Sequence, residues 1–156
     1  AVRAFEKLPD KKLYVAGNGP MMEEMQRYVR EHHMENVKFL GYLQKDEMSE
    51  KFYQAKAVIM TSQCYEAFAM TIAEAYSYGV PVIAGRVGNM DGMVQDGITG
   101  VKFTYNSAED LADKISAFDA MDLSVLKKNA RAFYAERLRP EDNYQKLIRI
   151  YEDISK

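Results

Sequence analysis

The sequence holds a single cysteine, Cys64, among 156 residues. One thiol cannot build a disulfide framework, so a reducing, cytoplasmic setting is the expectation. No apolar run approaches the roughly 18 residues that a membrane span requires. Residues 1–10 mix apolar and charged side chains in helical fashion, which does not read as a signal peptide. No charge of one sign dominates: 21 Lys and Arg stand against 23 Asp and Glu, a formal net charge of -2. That balance gives no overall attraction to nucleic acid or to an anionic membrane. The two histidines, His32 and His33, sit at a helix end without the Cys or His cluster a metal site needs, so surface or cap roles are expected. Cys64 lacks a basic partner to activate it and reads as a small buried or half-buried thiol. Repeats, low-complexity tracts and linkers are absent. With 47% hydrophobic residues, residues 1–156 read as a single domain large enough to bury a core.

What is present is an alternation of short apolar runs and helical patterns. Val2, Phe5 and Leu8 end a helix that Pro9 stops. Residues 12–16 read as a strand running into Gly17-Asn18-Gly19-Pro20, with Pro20 at a first helical position and Met22, Met25, Val29 and His32 as the inward stripe. Strands follow at residues 36–41, at 56–60 (expected to be central), at 81–84 and at 101–103, with a helix over 46–55 between the first two of these. Ser107 with Asp110 suggests a helix N-cap. The last third is helical, and Tyr144, Leu147, Ile148, Tyr151 and Ile154 are spaced for one apolar face. Ten methionines and eleven tyrosines read as core filler and amphipathic surface. The alternation predicts an α/β fold: a Rossmann-like, three-layer parallel sheet with helices on both faces. Ligands in such sheets bind beyond the carboxyl ends of the strands.

One stretch at that edge stands out. Glu66 and Glu74, with seven residues between them, flank a helix start near Ala69 or Met70; Gly79 ends the helix and Pro81 opens a strand. Backbone amides at a helix start lack intrahelical partners and favour a diphosphate. Carboxylates beside it suit sugar or ribose hydroxyls as hydrogen-bond donors. Two readings of Glu74 stay open: a hydroxyl ligand, or the far end of a capping box with Thr71. Glu66 reads equally as a solvated loop carboxylate. The Gly17-Asn18-Gly19 turn could cradle phosphate, but Met22 stands where a dinucleotide fingerprint needs glycine, so nicotinamide chemistry is disfavoured.

These residues carry a resemblance. The paired glutamates followed by Gly79-Val80-Pro81-Val82-Ile83-Ala84 resemble the donor-binding, C-terminal half of the retaining glycosyltransferases of family 4 (group 1), which have the two-domain GT-B fold. Leu13 to Pro20, Val37 to Leu43, Gly88-Asn89-Met90 and Asp96 to Gly100 resemble flanking segments of that family in the same order. The resemblance implies transfer of a hexosyl group from a UDP- or GDP-sugar to a glycan, lipid or other acceptor. It places Glu66 at the donor sugar as the catalytic carboxylate and Glu74 on the ribose. It puts the backbone of Ala67, Phe68, Ala69, Met70 and Thr71 at the distal phosphate, Gly17, Asn18 and Gly19 at the substrate, and Tyr42 and Leu43 beside the base. No metal or other cofactor is implied.

The chain also departs from that family. Ala67 and Ala69 stand where glycine is usual, and Gly92 where a carboxylate is often found. Counterparts of the first strand, of the Arg and Lys that grip the diphosphate, and of the N-terminal acceptor-binding domain are not in the sequence. The expectation is therefore a fragment whose missing strand is central in the usual order. Three resolutions present themselves: residues upstream supply that strand, the strand near Leu13 pairs directly with the one near Val58, or another chain fills the gap.

Overall fold

The computed structural model describes residues 1–63, 65 and 67–154. Among them, five strands alternate with helices: α1 (Val2–Phe5), β1 (Leu13–Ala16), α2 (Met22–Glu31), β2 (Val37–Gly41), α3 (Lys45–Gln54), β3 (Val58–Met60), α4 (Met70–Ser77), β4 (Val82–Gly85), α5 (Gly88–Met93), β5 (Gly100–Phe103), α6 (Ala108–Phe118), α7 (Leu123–Arg137) and α8 (Pro140–Ile154). Every strand pairing is parallel, and helices cover both faces, as the alternation requires.

The strands form two sheets, β1-β2 and β3-β4-β5, rather than one continuous sheet. Direct pairing of the Leu13 strand with the Val58 strand is therefore not what the chain does. A second correction follows. The strand at Val58–Met60 is an edge, and all three of its residues are only partly buried. The centre of that sheet is β4, whose four residues are all buried. The two sheets share one apolar core, in which Leu13 and Val37 pack with Ile83, Val101 and Phe103 beneath Phe5, Leu111, Ile115 and Phe118.

Local chemistry explains most helix ends. The Ser107 side chain accepts the Asp110 amide at 3.1 Å, so α6 is capped as its sequence predicts. The α3 start is held by Glu47, whose carboxylate accepts the Gln44 amide at 2.7 Å. Helix α4 ends at Gly79, φ +67°, where the Val80 amide reaches the Ala75 carbonyl and the Gly79 amide that of Tyr76, both at 2.9 Å. That double return fits a residue free of Cβ strain. Three expectations fail. Helix α2 starts at Met22, two residues past Pro20, and His32 is not inward: it caps the helix, exposed, with Nδ1 2.9 Å from Glu6. The short helix α5 went unforeseen, because Gly88 and Gly92 read as loop residues. The apolar stripe of α8 does not enter the core: Ile148 is half-buried and no residue of that helix is fully buried.

A second core cluster decides where α4 lies. Ile72, Ala73, Ala75 and Tyr76 bury one face of the helix against Val82, Ala84, Met90, Val94 and Ala130. Tyr76 is fully buried, and its hydroxyl lies 2.7 Å from Thr99 Oγ1, itself buried. Burial pushes that hydroxyl up to about 12, against the lowering effect of the Thr99 bond. Thr99 also accepts the Gln95 amide at 3.0 Å, which closes the turn before β5. Replacing Tyr76 by Phe leaves Thr99 short of one partner and should cost about 1–2 kcal/mol of stability in urea unfolding. A loss below about 0.5 kcal/mol, the scale of an ordinary surface change, would mean the hydroxyl pair contributes nothing.

Candidate functional site

The carboxyl ends of the strands present the predicted residues in two groups, one on each sheet. In the first, the Gly17 amide donates to the Gly41 carbonyl at 2.6 Å, and a Cβ on Gly41 would lie 3.7 Å from Asn18 Oδ1. The turn after β1 thus abuts the turn after β2, bringing Gly17, Asn18 and Gly19 to the segment that carries Tyr42 and Leu43. Asn18 and Gly19 are exposed, and Leu43 is half-buried. Tyr42 is 71% exposed, so its ring face is open for stacking.

The second group surrounds the start of α4. Ala67, Phe68 and Met70 are exposed, Thr71 is half-buried and Ala69 is fully buried. The methyl of Ala69 faces the core, so this residue can offer a ligand only its backbone. Its carbonyl already accepts the Ile72 amide at 2.9 Å and the Ala73 amide at 3.4 Å. The Met70 amide turns back to the Phe68 carbonyl at 3.0 Å and is likewise engaged. Among the described residues, the amides of Phe68, Ala69 and Thr71 take no hydrogen-bond partner. They are donors at a helix start, where the dipole favours an anion.

One of the two readings of Glu74, the capping box, falls away. The helix begins at Met70 with Ala69 as N-cap, so Thr71 lies inside the first turn and cannot cap it. Glu74 is exposed, and its carboxylate bonds no described residue. The capping box therefore does not form, and the carboxylate is left to solvent or a ligand. Glu66 and Cys64 lie outside the described residues. No hydrogen bond or ion pair joins the two groups among the described residues.

Two features escaped the sequence reading. The segment before α4 is tied down at both ends. Gln63 Nε2 donates to Asn106 Oδ1 at 3.1 Å, Tyr105 donates to the Gln63 carbonyl at 3.4 Å, and Asn89 Nδ2 donates to the Ala67 carbonyl. An asparagine after a glycine is too common a pair to single out Asn89 from sequence. The other feature is a charged corner between β4 and β5. Arg86 Nη2 lies 2.9 Å from Asp96 Oδ2, and the Lys102 amide donates to Asp96 Oδ1 at 2.9 Å. Lys102 Nζ lies 3.0 Å from Asp91 Oδ1, a contact with the separation of an ion pair but not the direction of a hydrogen bond. Both cations are thus engaged by carboxylates and are not a ready substitute for a basic grip on phosphate. Among the described residues, no group of three His, Cys, Asp or Glu side chains could hold a metal ion, and no helix is long and apolar enough to cross a membrane.

Comparison with known proteins decides the family. Residues 1–131 match the sequence profile of glycosyl transferases group 1. The chain belongs to that family. It is 29% identical to N-acetyl-alpha-D-glucosaminyl L-malate synthase of Bacillus anthracis, over 98% of this chain and 40% of that protein. Among solved structures, the group 1 chain superposes on a sucrose-phosphate synthase from Thermosynechococcus elongatus with a TM-score of 0.85 at 26% identity, covering 98% of this chain and 41% of that one. It superposes on Anabaena HepE, solved in complex with UDP, with a TM-score of 0.87 at 22% identity, covering 97% and 44%. The last likeness speaks for the fold: the Rossmann-like domain of the GT-B glycosyltransferases. The chain spans less than half the length of each of these relatives.

Because Glu74 caps nothing, Glu74→Ala should change folding stability by no more than about 0.5 kcal/mol, as at any exposed position. A working capping box would show a loss nearer 1 kcal/mol in the same urea titration.

Proposed function

We propose that this chain is the donor-binding half of a retaining glycosyltransferase. The whole enzyme would transfer a hexosyl group from a UDP- or GDP-sugar to a glycan, lipid or other acceptor. The observation that carries this reading is the α4 start. Three amides that have no partner among the described residues stand at the dipole's positive end, with the uncapped carboxylate of Glu74 one turn further in. Phosphate oxygens need donors and ribose hydroxyls need an acceptor, and this helix end offers both. UDP in the HepE structure fits the same chemistry.

In this reading the donor's diphosphate meets the amides of Phe68 to Thr71, Glu74 accepts the ribose hydroxyls, and Tyr42 and Leu43 border the base. Gly17, Asn18 and Gly19 line the facing turn. As the bond from the anomeric carbon to the distal phosphate breaks, the electron pair passes to the diphosphate, and the helix start stabilises the added charge. The acceptor hydroxyl attacks from the face the leaving group departs and gives its proton to the departing diphosphate, so no protein nucleophile is needed. Glu66 orients the sugar and balances its developing positive charge. The acceptor-binding domain and the basic pair on the diphosphate would come from elsewhere in the full-length protein. A second reading, a noncatalytic module that binds a phosphorylated metabolite, draws on the same amides but leaves Glu74 without a role.

Ligand-observed NMR of this chain against nucleotides and nucleotide sugars should show binding of a nucleoside diphosphate and its loss in Glu74→Ala. Binding of sugar phosphates without a nucleoside would favour the second reading. In the full-length enzyme, Glu66→Gln should lower kcat by about 100-fold or more, the scale of an electrostatic group acting on the transition state, while donor affinity changes little. Unchanged turnover would remove Glu66 from the mechanism.

A further inference from the structure

We propose that Asn89 is the positioning residue of the donor-phosphate loop: it holds the Ala67 carbonyl and thereby aims the amides that follow. This role rests on the donor-binding reading above. The β3–α4 connection spans residues 61–69 and, where described, has no regular secondary structure. Thr61, Gln63, Tyr65, Ala67 and Phe68 are all exposed. Packing alone therefore does little to order it, and each residue left free costs backbone entropy when a ligand fixes it.

The tether to Asn89 removes part of that cost where it counts. The Ala67 carbonyl and the Phe68 amide belong to one planar trans peptide and point in opposite directions. A side chain that holds the carbonyl therefore sets the direction of the Phe68 N–H, the first of the donors without a partner among the described residues. The next donors, at Ala69 and Thr71, follow along the same short run into α4, whose position is fixed by its buried face. Asn89 can reach the loop because Gly88 lets α5 come close. Gly88 sits at φ +53°, and a Cβ there would lie 3.3 Å from Tyr65 Cδ1 and 3.4 Å from Tyr65 Cα. An aspartate at 89 would lose the N–H donor and set a carboxylate against the carbonyl.

The test compares nucleoside diphosphates with monophosphates on the full-length protein. UDP, GDP and ADP carry the distal phosphate that this loop would hold, whereas UMP, GMP and AMP lack it. Asn89→Ala should weaken the bound diphosphate about tenfold, the scale of one ligand-ordering hydrogen bond, and the matching monophosphate by less than about threefold. Asn89→Asp should do so more strongly. Backbone order parameters from NMR relaxation at Phe68, Ala69 and Thr71 should fall in both variants without nucleotide present. Equal loss on both probes, or no loss, would overturn the positioning role alone. Wild-type protein that binds none of the diphosphates would sink the donor-site reading and this role together.

Discussion

The burial of Tyr76 is the contact on which the site depends. Its ring fills the core between β4 and the helices that follow, and its hydroxyl meets Thr99 in the same apolar surroundings. A polar pair so placed tolerates little displacement, because a shift of either partner leaves a buried group unsatisfied. Helix α4 is consequently fixed along its axis as well as about it. Its first turn lies at the sheet edge because its second turn is pinned at depth. The Gly79 return fixes the other end and delivers the chain into β4, the one strand buried throughout. Core packing and ligand geometry are thus the same problem in this molecule.

Much of this was legible in the sequence, and for identifiable reasons. Gly79-Val80-Pro81 marks a helix stop and a strand start, since glycine accepts the left-handed conformation that ends a helix and proline cannot continue one. Ser107 announced its own cap. The turn at Gly17 and the helix at Met70 fell where the alternation put them. What failed turned on neighbours the sequence does not show. Whether Thr71 caps or sits within the helix depends on one residue of phase, and Ala69, without a capping side chain, gave no sign that it would take that place. The Val58–Met60 strand is apolar enough for a central place, but apolar content does not say which strand stands beside it. The tethers from Asn89 and Asn106 join residues 22 and 43 positions apart, and no local pattern foretells them.

The charged corner at Arg86, Asp91, Asp96 and Lys102 explains how the β4–β5 edge stays closed without disturbing the amides nearby. Two cations matched by two carboxylates leave little net field at the sheet edge. Anion attraction there falls to the backbone, whose dipoles do not titrate. The donor loop and the corner meet at α5, which supplies Asn89 to one and Asp91 to the other. A six-residue helix that the sequence hid among glycines therefore links the two.

Helix α8 has another consequence. Tyr144, Leu147, Ile150 and Ile154 are 60%, 46%, 55% and 77% exposed, and none of the helix's fifteen residues is buried. A helix of about 12–15 residues in which only Ile148 is even half-buried gains little from core packing and sits closer to its helix–coil balance point than a core helix does. Its local opening free energy is then lower than that of the buried core helices. Frayed ends and fast-exchanging amides belong to such a segment even while α4 and β4 remain closed. The exposed apolar side chains make it a sensitive gauge of its surroundings: a surface that covered them would stabilise this helix more than any other in the chain.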